Sequence, residues 1–239
     1  MSLLKANSKI TSETDFLEGQ VLLFNKPLGW SSFDVVKKVR GIIKSAKNIK
    51  KIKVGHTGTL DPLADGLLIV CTGKFTKRID EIQDQKKVYT GEITLGATTP
   101  SYDRETEVDQ SFDTSEITED LIHKSSKKFE GKIMQKPPIF SALKREGKRL
   151  YKHAREGTKI EIKAREVEIE SFKITSIEIP KITFEIVCSK GTYIRSLAHD
   201  FGKELNNGAH LSSLRREMIG NFSLSDAISI DSFKENILK

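Results

Sequence analysis

Strand-like and helix-like patterns of apolar residues follow one another in this chain without a regular alternation. Ser31 and Ser32 are candidate N-caps, and apolar side chains recur at helical spacing from Phe33 to about Lys44. The same spacing returns from Ile194 to Leu205, before Asn206, Asn207 and Gly208. The segments with strand-like patterns are Gln20 to Asn25, Tyr89 to Leu95, Ile160 to Ile169 and Ile182 to Cys188. Doubly wound folds need strands and helices in strict alternation, so we predict an α+β fold with a mixed, largely antiparallel sheet and flanking helices.

The length of the chain, 239 residues, is enough for one substantial core. We expect residues 1–18, which are polar and mixed in charge, to be a disordered leader, and residues 19–239 to form a single domain. The leader lacks the apolar stretch of a signal peptide, and no apolar run is long enough for a membrane span. Cys71 and Cys188 lie far apart and form no C-x-x-C pair, which argues against zinc or disulfides. A cytoplasmic protein without membrane contact is expected.

Positive charge is in excess and is concentrated in one region. The chain has 40 Lys and Arg against 33 Asp and Glu, a formal net charge of +7. A basic surface attracts nucleic acid because cations that neutralise phosphates release condensed counterions. The densest run of cations comprises Lys37, Lys38, Arg40, Lys44, Lys47, Lys50, Lys51 and Lys53. An ordinary solvated helix face is the alternative interpretation of this run.

A glycine-rich segment, Gly55 to Leu68, surrounds one carboxylate, Asp61, and precedes an apolar run. Such a loop can bring backbone close to a ligand. Because Pro62 follows Asp61, the aspartate is biased toward extended or turn geometry and could simply cap the next turn. Two further segments place a tyrosine near a strand end: Lys87-Val88-Tyr89 and Ser189 to Arg195.

Together these segments resemble the tRNA pseudouridine-55 synthases, the TruB family, in an order preserved from about Gly19 to Gly220. The matching blocks are Asn25 to Gly29 with Ser31-Ser32, Gly55 to Leu68, Lys87 to Tyr89, Lys136 to Lys144 with Gly147 to Tyr151, Cys188 to Leu197, and Gly208 to Leu211 with Leu214 to Arg216. The resemblance implies the pseudouridine synthase fold and one catalytic domain. It also implies isomerisation of uridine 55 in the T-loop of tRNA, with no metal and no cofactor.

The resemblance also assigns roles to five residues. Asp61 matches the catalytic aspartate, and Arg195 matches the arginine that pairs with it and keeps it ionised. Tyr89 matches the tyrosine that stacks on the target base, with proton transfer as a further role, and Tyr193 is expected in the same pocket. His56 matches the residue placed at the opened loop after the uridine flips into the enzyme. The alternative for His56 is a histidine hydrogen-bonded to backbone.

Phosphate contacts are expected from basic residues in the matching blocks, because shape and backbone dominate recognition of folded RNA. The candidates are Lys26, Lys77, Lys144, Lys148, Arg149, Arg215 and Arg216. Each could equally be an ordinary surface charge. The expected partner is the T-arm of tRNA, and nothing in the sequence indicates an obligate protein partner, so a monomer is expected.

The chain departs from the family pattern in two places. After Gly96, many members carry Thr-Asp-Thr-x-Asp-x-x-Gly; here Asp103 matches, but Pro100 and Thr106 do not, which leaves the role of Asp103 open. Little more than twenty residues follow Arg216, too few for the RNA-binding PUA domain of many bacterial members. We therefore hypothesise that the Lys37 to Lys53 region supplies tRNA-binding energy that other members take from that domain.

Three alternative functions remain at the level of sequence. The chain could be a related synthase acting on another RNA, or a non-catalytic RNA-binding or RNA-folding protein on the same scaffold. A glycosidase would use carboxylates on a sugar, but it generally needs two of them, and only Asp61 stands out. The sequence also leaves open whether the aspartate traps the sugar carbon C1′ or takes a proton from C2′ to give a glycal.

Overall fold

The computed structural model describes residues 10–141, 143–145, 147–156 and 160–238, and it divides into two compact units. The first unit runs to Tyr89 and resumes at Leu214, and the second runs from Thr90 to Ser213. The boundaries between the units fall within strands β4 and β12.

The elements as far as β4 are β1 (Val21–Lys26), α1 (Ser32–Ala46), β2 (Val54–His56), β3 (Ala64–Thr72), a 3-10 helix (Gly73–Arg78), α2 (Ile79–Gln83) and β4 (Lys87–Leu95). Those as far as α4 are β5 (Ala97–Thr98), β6 (Gln110–Ser111), α3 (Glu119–Lys127), β7 (Gly131–Gln135), β8 (Lys144–Arg145), β9 (Lys148–Arg149) and α4 (Leu150–Arg155). The remainder are β10 (Arg165–Glu178), β11 (Lys181–Cys188), α5 (Ile194–Glu204), β12 (Ala209–Ile219), β13 (Phe222–Ser223), a second 3-10 helix (Leu224–Asp226) and α6 (Ile230–Leu238).

The main sheet has the strand order β1-β3-β12-β4-β11-β10-β7, with β2 paired to β3 and β13 to β12. In the first unit, β3 pairs antiparallel with β1 and β2 and parallel with β12. In the second unit, β10 pairs antiparallel with both β11 and β7. The sheet is therefore mixed and largely antiparallel with flanking helices, which confirms the predicted α+β class.

The core of the first unit lies between β1 and β3 on one side and α1 and α6 on the other. Val35, Val39 and Ile43, at helical spacing on α1, are fully buried there. Ser31 begins α1 as a capping box, since its side chain accepts from the Asp34 backbone and Asp34 accepts from the Ser31 backbone. The predicted N-cap and helix are thus confirmed, with α1 ending two residues later than expected.

Residues 10–18, predicted to belong to a disordered leader, are packed in the structure. Ile10 and Phe16 are buried, and the Phe16 ring packs edge-to-face on Phe233 of α6 with 6.1 Å between ring centroids. Residues 10–18 therefore belong to the packed first unit because their apolar side chains find a place in its core; residues 1–9 lie outside the described ranges.

The second unit packs α3 and α5 against the sheet around Phe172 of β10. The Phe172 ring lies 5.4 Å from Phe201 of α5 and 6.2 Å from Phe184 of β11. The prediction of a strand from Ile160 to Ile169 is only partly correct, because β10 begins at Arg165 and continues to Glu178. Its second half is specified by antiparallel pairing with β11, a long-range contact that local alternation does not report.

Candidate active site

The loop that carries Asp61 joins β2 to β3 and is fixed to the start of α1. The Ser32 hydroxyl accepts from the Leu60 N–H at 2.8 Å and donates to the Leu60 carbonyl at 3.0 Å. The N–H of Gly29, in the turn after β1, donates to the Pro62 carbonyl at 2.8 Å. The residues on both sides of Asp61 are thus anchored to one neighbouring segment, and this explains the Pro-Leu-Gly turn and the serine at the first position of α1.

The buried guanidinium of Arg216 is hydrogen-bonded to the same loop. Arg216 of β12 is 1% exposed; its Nε donates to the Leu67 carbonyl at 2.8 Å and its Nη2 to the Gly58 carbonyl at 3.2 Å. Arg216 lies opposite Gly66 in the parallel β3–β12 ladder. Gly66 has φ +102°, and a Cβ there would lie 2.5 Å from the Arg216 carbonyl oxygen, so only glycine fits this approach.

Asp61 is half-buried at the end of this loop, and its carbonyl accepts from the Ala64 N–H at 3.1 Å. A second buried cation lies within its electrostatic reach. Burial lowers the pKa of Lys26 to about 8, against the opposing influence of the Asp65 and Asp61 carboxylates. The Lys26 Nζ donates to the carbonyls of Pro27 and Trp30, at 3.0 and 2.6 Å. Asp61 therefore lies in a loop that is anchored by hydrogen bonds at Gly58, Leu60 and Pro62 and interacts electrostatically with Lys26.

His56 ends β2 immediately before this loop. Its Nδ1 accepts from the Gly58 N–H at 3.3 Å, the backbone bond considered as the alternative for this residue. Burial and, to a lesser extent, Arg216 lower the pKa of His56. The imidazole is accordingly neutral near pH 7 and carries its proton on Nε2, which leaves a donor on the far edge of the ring.

Tyr89 lies on β4, close to the start of the strand, and is 8% exposed. Lys87, two residues earlier on the same face, is also buried, and its Nζ donates to the carbonyls of Gln83, the last residue of α2, and of Gln85 in the turn that follows. The Lys-x-Tyr segment is therefore fixed in place by its lysine, which acts as a structural anchor.

In the second unit, Arg195 lies in the first turn of α5 and is 4% exposed. Its Nε lies 3.5 Å from the Asp103 carboxylate, which is equally buried, and its Nη1 donates to the Ser101 carbonyl at 3.3 Å. Asp103 also accepts from the Glu105 N–H at 2.9 Å. The aspartate whose role the sequence left open thus both closes a turn and forms a buried ion pair with Arg195.

The departures from the family pattern are accommodated in the same loop. The Thr106 hydroxyl accepts from the Ser101 N–H at 3.0 Å and lies 2.9 Å from the Ser101 hydroxyl. Tyr102, with φ +64°, stacks on His199 of α5, with centroids 3.8 Å apart. Since His199 follows Arg195 by one helical turn, adjacent loop residues contact adjacent turns of α5. The sequence signal for this arrangement is the adjacent pair Tyr102-Asp103 together with the i, i+4 spacing of Arg195 and His199.

Tyr193 caps the amino terminus of α5, and a buried glutamine fixes its backbone. Gln135, at the end of β7, accepts from the Tyr193 N–H at 2.8 Å and donates to its carbonyl at 3.0 Å. The Arg165 guanidinium lies 5.0 Å from the centre of the Tyr193 ring. Gln135 was not among the sequence candidates; its position directly before the Lys136-Pro137-Pro138 block was the available signal.

The predicted phosphate contacts fall into four groups. Lys26 and Arg216 are buried and donate to main-chain carbonyls, as described above, so neither presents a free charge to RNA. Arg215 makes two hydrogen bonds to Asp65, at 3.1 and 2.9 Å, and Lys148 lies 3.2 Å from Glu156. Lys77 is exposed on the first 3-10 helix. The backbones of Lys144 and Arg149 pair as β8 and β9, and their side chains lie outside the described part of the chain.

Within the described ranges, no group of three or more His, Cys, Asp or Glu side chains is arranged to hold a metal ion. None of the helices described there is long and apolar enough to cross a membrane. Cys71 is buried, and desolvation raises the pKa of its thiol to about 12, which makes it an inert packing residue.

Residues 44–194 match the model of the TruB family pseudouridylate synthase N-terminal domain. A Flavobacterium johnsoniae protein named tRNA pseudouridine synthase B is 58% identical over 93% of this chain and 98% of its own length. The proteins of the same name from Phocaeicola vulgatus and Chloroherpeton thalassium are 50% and 52% identical, over 92% and 93% of this chain and 94% and 92% of their own lengths.

Two solved structures share the fold. The matched chain of a Cbf5-Nop10-Gar1 complex is 27% identical with a TM-score of 0.66, and that of an H/ACA RNP bound to a substrate RNA containing 2'-deoxyuridine is 26% identical with a TM-score of 0.65. Each match covers 98% of this chain and about 60% of the solved chain.

Proposed function

The chain belongs to the TruB family of pseudouridylate synthases, and from that premise we propose that it isomerises uridine to pseudouridine at position 55 of the tRNA T-loop, with Asp61 as the catalytic residue. The observation that carries this proposal is the anchoring of the Asp61 loop. Ser32 holds Leu60 by two hydrogen bonds, and the Arg216 guanidinium holds the Gly58 carbonyl. A catalytic carboxylate must be held in a fixed position, because a small displacement from the productive geometry lowers the reaction rate strongly.

The reaction breaks the bond between uracil N1 and ribose C1′ and forms a bond between C5 and C1′. N1 gains a proton and C5 loses one, so composition is unchanged. An ionised Asp61 can assist by adding to C1′ or by taking the C2′ proton; both routes need its carboxylate in the charged form. Lys26 interacts electrostatically with Asp61, and this attraction opposes the lowering of the Lys26 pKa by burial.

We assign supporting roles to four further residues. Tyr89 stacks on the flipped uracil and can pass a proton, and Tyr193 lines the same pocket. Arg195 keeps the role of the matching family arginine, which pairs with the catalytic carboxylate; within the second unit its Nε lies 3.5 Å from the Asp103 carboxylate. His56, neutral near pH 7, occupies the space that the flipped uridine leaves, with Nε2–H available as a donor.

The test is to map pseudouridine in an unmodified tRNA transcript after incubation with the wild-type protein, Asp61→Asn and Asp80→Asn. Asp80 is an exposed carboxylate of α2 in the same unit and serves as the matched control. We expect conversion at position 55 by the wild type and by Asp80→Asn, and a loss of at least 1000-fold in Asp61→Asn. Tight tRNA binding without conversion by the wild type would instead support the non-catalytic RNA-binding alternative, and conversion at another site a different RNA specificity.

A further inference from the structure

A strongly basic groove lies in the first unit, at the opposite end of β2 from the Asp61 loop, and we propose that it binds the phosphodiester backbone of a base-paired stem in the substrate tRNA. The groove has a volume of about 670 Å³ and lies between α1, the loop before β2 and the first 3-10 helix. This inference rests on the proposed function, since it identifies a second contact for the same RNA.

The lining of the groove is almost entirely cationic. Seven of its eleven lining residues are Lys or Arg, and none is Asp or Glu. The cations are Arg40 and Lys44 from α1, Lys50, Lys51 and Lys53 from the loop, and Lys74 and Lys77 from the 3-10 helix. Converging like charges repel one another in the folded protein, and a bound polyanion relieves that repulsion.

The three segments are joined by backbone contacts, so the groove is a defined part of the fold. The Gly73 N–H donates to the Lys53 carbonyl at 2.9 Å, and Arg40 Nη2 donates to the Val54 carbonyl at 3.0 Å. Gly73 has φ +52°, and a Cβ there would lie 2.1 Å from the Leu17 carbonyl oxygen. Close packing of these segments therefore brings the lysines together, although their ammonium groups repel one another.

Nearby acids neutralise only one side of the groove. Glu18 lies 2.6 Å from Lys74, with both side chains well exposed, and Asp15 interacts with Lys74 at longer range. Across the residues that the structure describes, no carboxylate forms an ion pair with Lys50, Lys51 or Lys53. These three lysines are exposed and provide the charge that a phosphate backbone would meet.

The apolar lining indicates which form of RNA the groove accommodates. Apart from the cations, the lining consists of Leu17, Ile52, Gly73 and Thr76, without an aromatic ring. Proteins that hold splayed single strands stack bases on aromatic side chains, whereas duplex RNA is held through phosphates and shape. Lysine ammonium groups on flexible stems suit phosphate contacts that read no sequence.

The groove lies at the opposite end of β3 from Asp61. Asp61 contacts Ala64, the first residue of β3, whereas Gly73 follows the last residue, Thr72. The first and last Cα atoms of this nine-residue strand are about 26 Å apart, at a rise of about 3.3 Å per residue. The groove is therefore well separated from Asp61, and an RNA bound at both places is held at two separate points.

The experiment compares two triple variants for binding to unmodified tRNA at several salt concentrations. One changes Lys50, Lys51 and Lys53 to Gln; the matched control changes Lys124, Lys132 and Lys173, exposed lysines of the second unit, to Gln. Both remove three positive charges, and thermal unfolding verifies that both are folded. We expect the groove variant to bind about 10-fold more weakly, with a slope of log K against log salt shallower by about two to three, and the control to resemble wild type.

Equal losses in the two variants, or wild-type affinity and slope in the groove variant, would overturn the proposal. Binding is measured without turnover, so the result does not depend on catalysis. Wild-type protein that binds tRNA through the groove but forms no pseudouridine would refute the proposed function alone; wild-type protein that does not bind tRNA would refute both.

Discussion

Two sets of Lys and Arg side chains in the first unit differ in their exposure to solvent. Lys26 and Arg216, near the Asp61 loop, are 0% and 1% exposed and donate to main-chain carbonyls. The lysines of the basic groove are exposed and converge on open space. Charge in the sequence cannot separate the two sets, because both are Lys or Arg in blocks that also contain apolar residues. Burial separates them: the first set organises a loop, and the second is available to RNA.

The largest effect is expected from removing the buried guanidinium of Arg216. Arg216→Met leaves the Leu67 and Gly58 carbonyls without their donors, so we expect the free energy of unfolding to fall by about 3 kcal/mol. Pseudouridine formation should fall with it, because the Asp61 loop loses its support. Urea denaturation and the tRNA conversion assay measure the two effects.

The neighbouring residue provides the control for Arg216. Arg215 points to the other face of β12 and pairs with Asp65 at the surface, with 45% of its side chain exposed. An exposed ion pair contributes about 0 to 1 kcal/mol, so Arg215→Met should lose no more than that. Equal destabilisation by the two variants would contradict the distinction between buried and exposed cations.

A buried ion pair in the second unit extends the comparison. Asp103→Asn removes the carboxylate charge beside Arg195 but keeps an oxygen that can accept from the Glu105 N–H. We expect unfolding to require about 2 kcal/mol less, because a buried arginine loses a charged partner. Asp109, an exposed carboxylate that accepts from the Thr98 hydroxyl, is the control, and Asp109→Asn should change stability by less than about 1 kcal/mol.

If Asp103 acts only on stability, saturating amounts of folded Asp103→Asn protein should convert tRNA at the wild-type rate. A lower rate at saturation would indicate that Asp103 also positions Arg195 for the reaction. Measurement of single-turnover rates well below the unfolding midpoint separates these two outcomes.

The sequence predicted the elements whose signals are local and missed those that depend on distant partners. Helix α1 was predicted with its cap at Ser31 or Ser32, because the capping residues and the apolar face are all within one segment, and the structure places the cap at Ser31. Strand β12 was not predicted, since its register is set by parallel pairing with β3, about 150 residues away in the chain. The blocks that resemble the family located the Asp61 loop, but they could not show that Lys26 and Arg216 are buried near it.

The smallest expected effect is a pH dependence that belongs to Lys26. Its pKa is about 8 in the folded protein and near 10.5 when unfolded, so between these values the unfolded chain binds more protons and stability rises with pH. From pH 8 to pH 9.5 this contribution amounts to about 1 to 2 kcal/mol. Lys26→Met has no group to titrate, so urea denaturation at the two pH values should show a smaller rise than in wild type. The same substitution at Lys44 in the groove, where the ammonium is exposed, should leave the wild-type rise intact; a loss of the rise there would show that the buried and exposed cations do not differ as described.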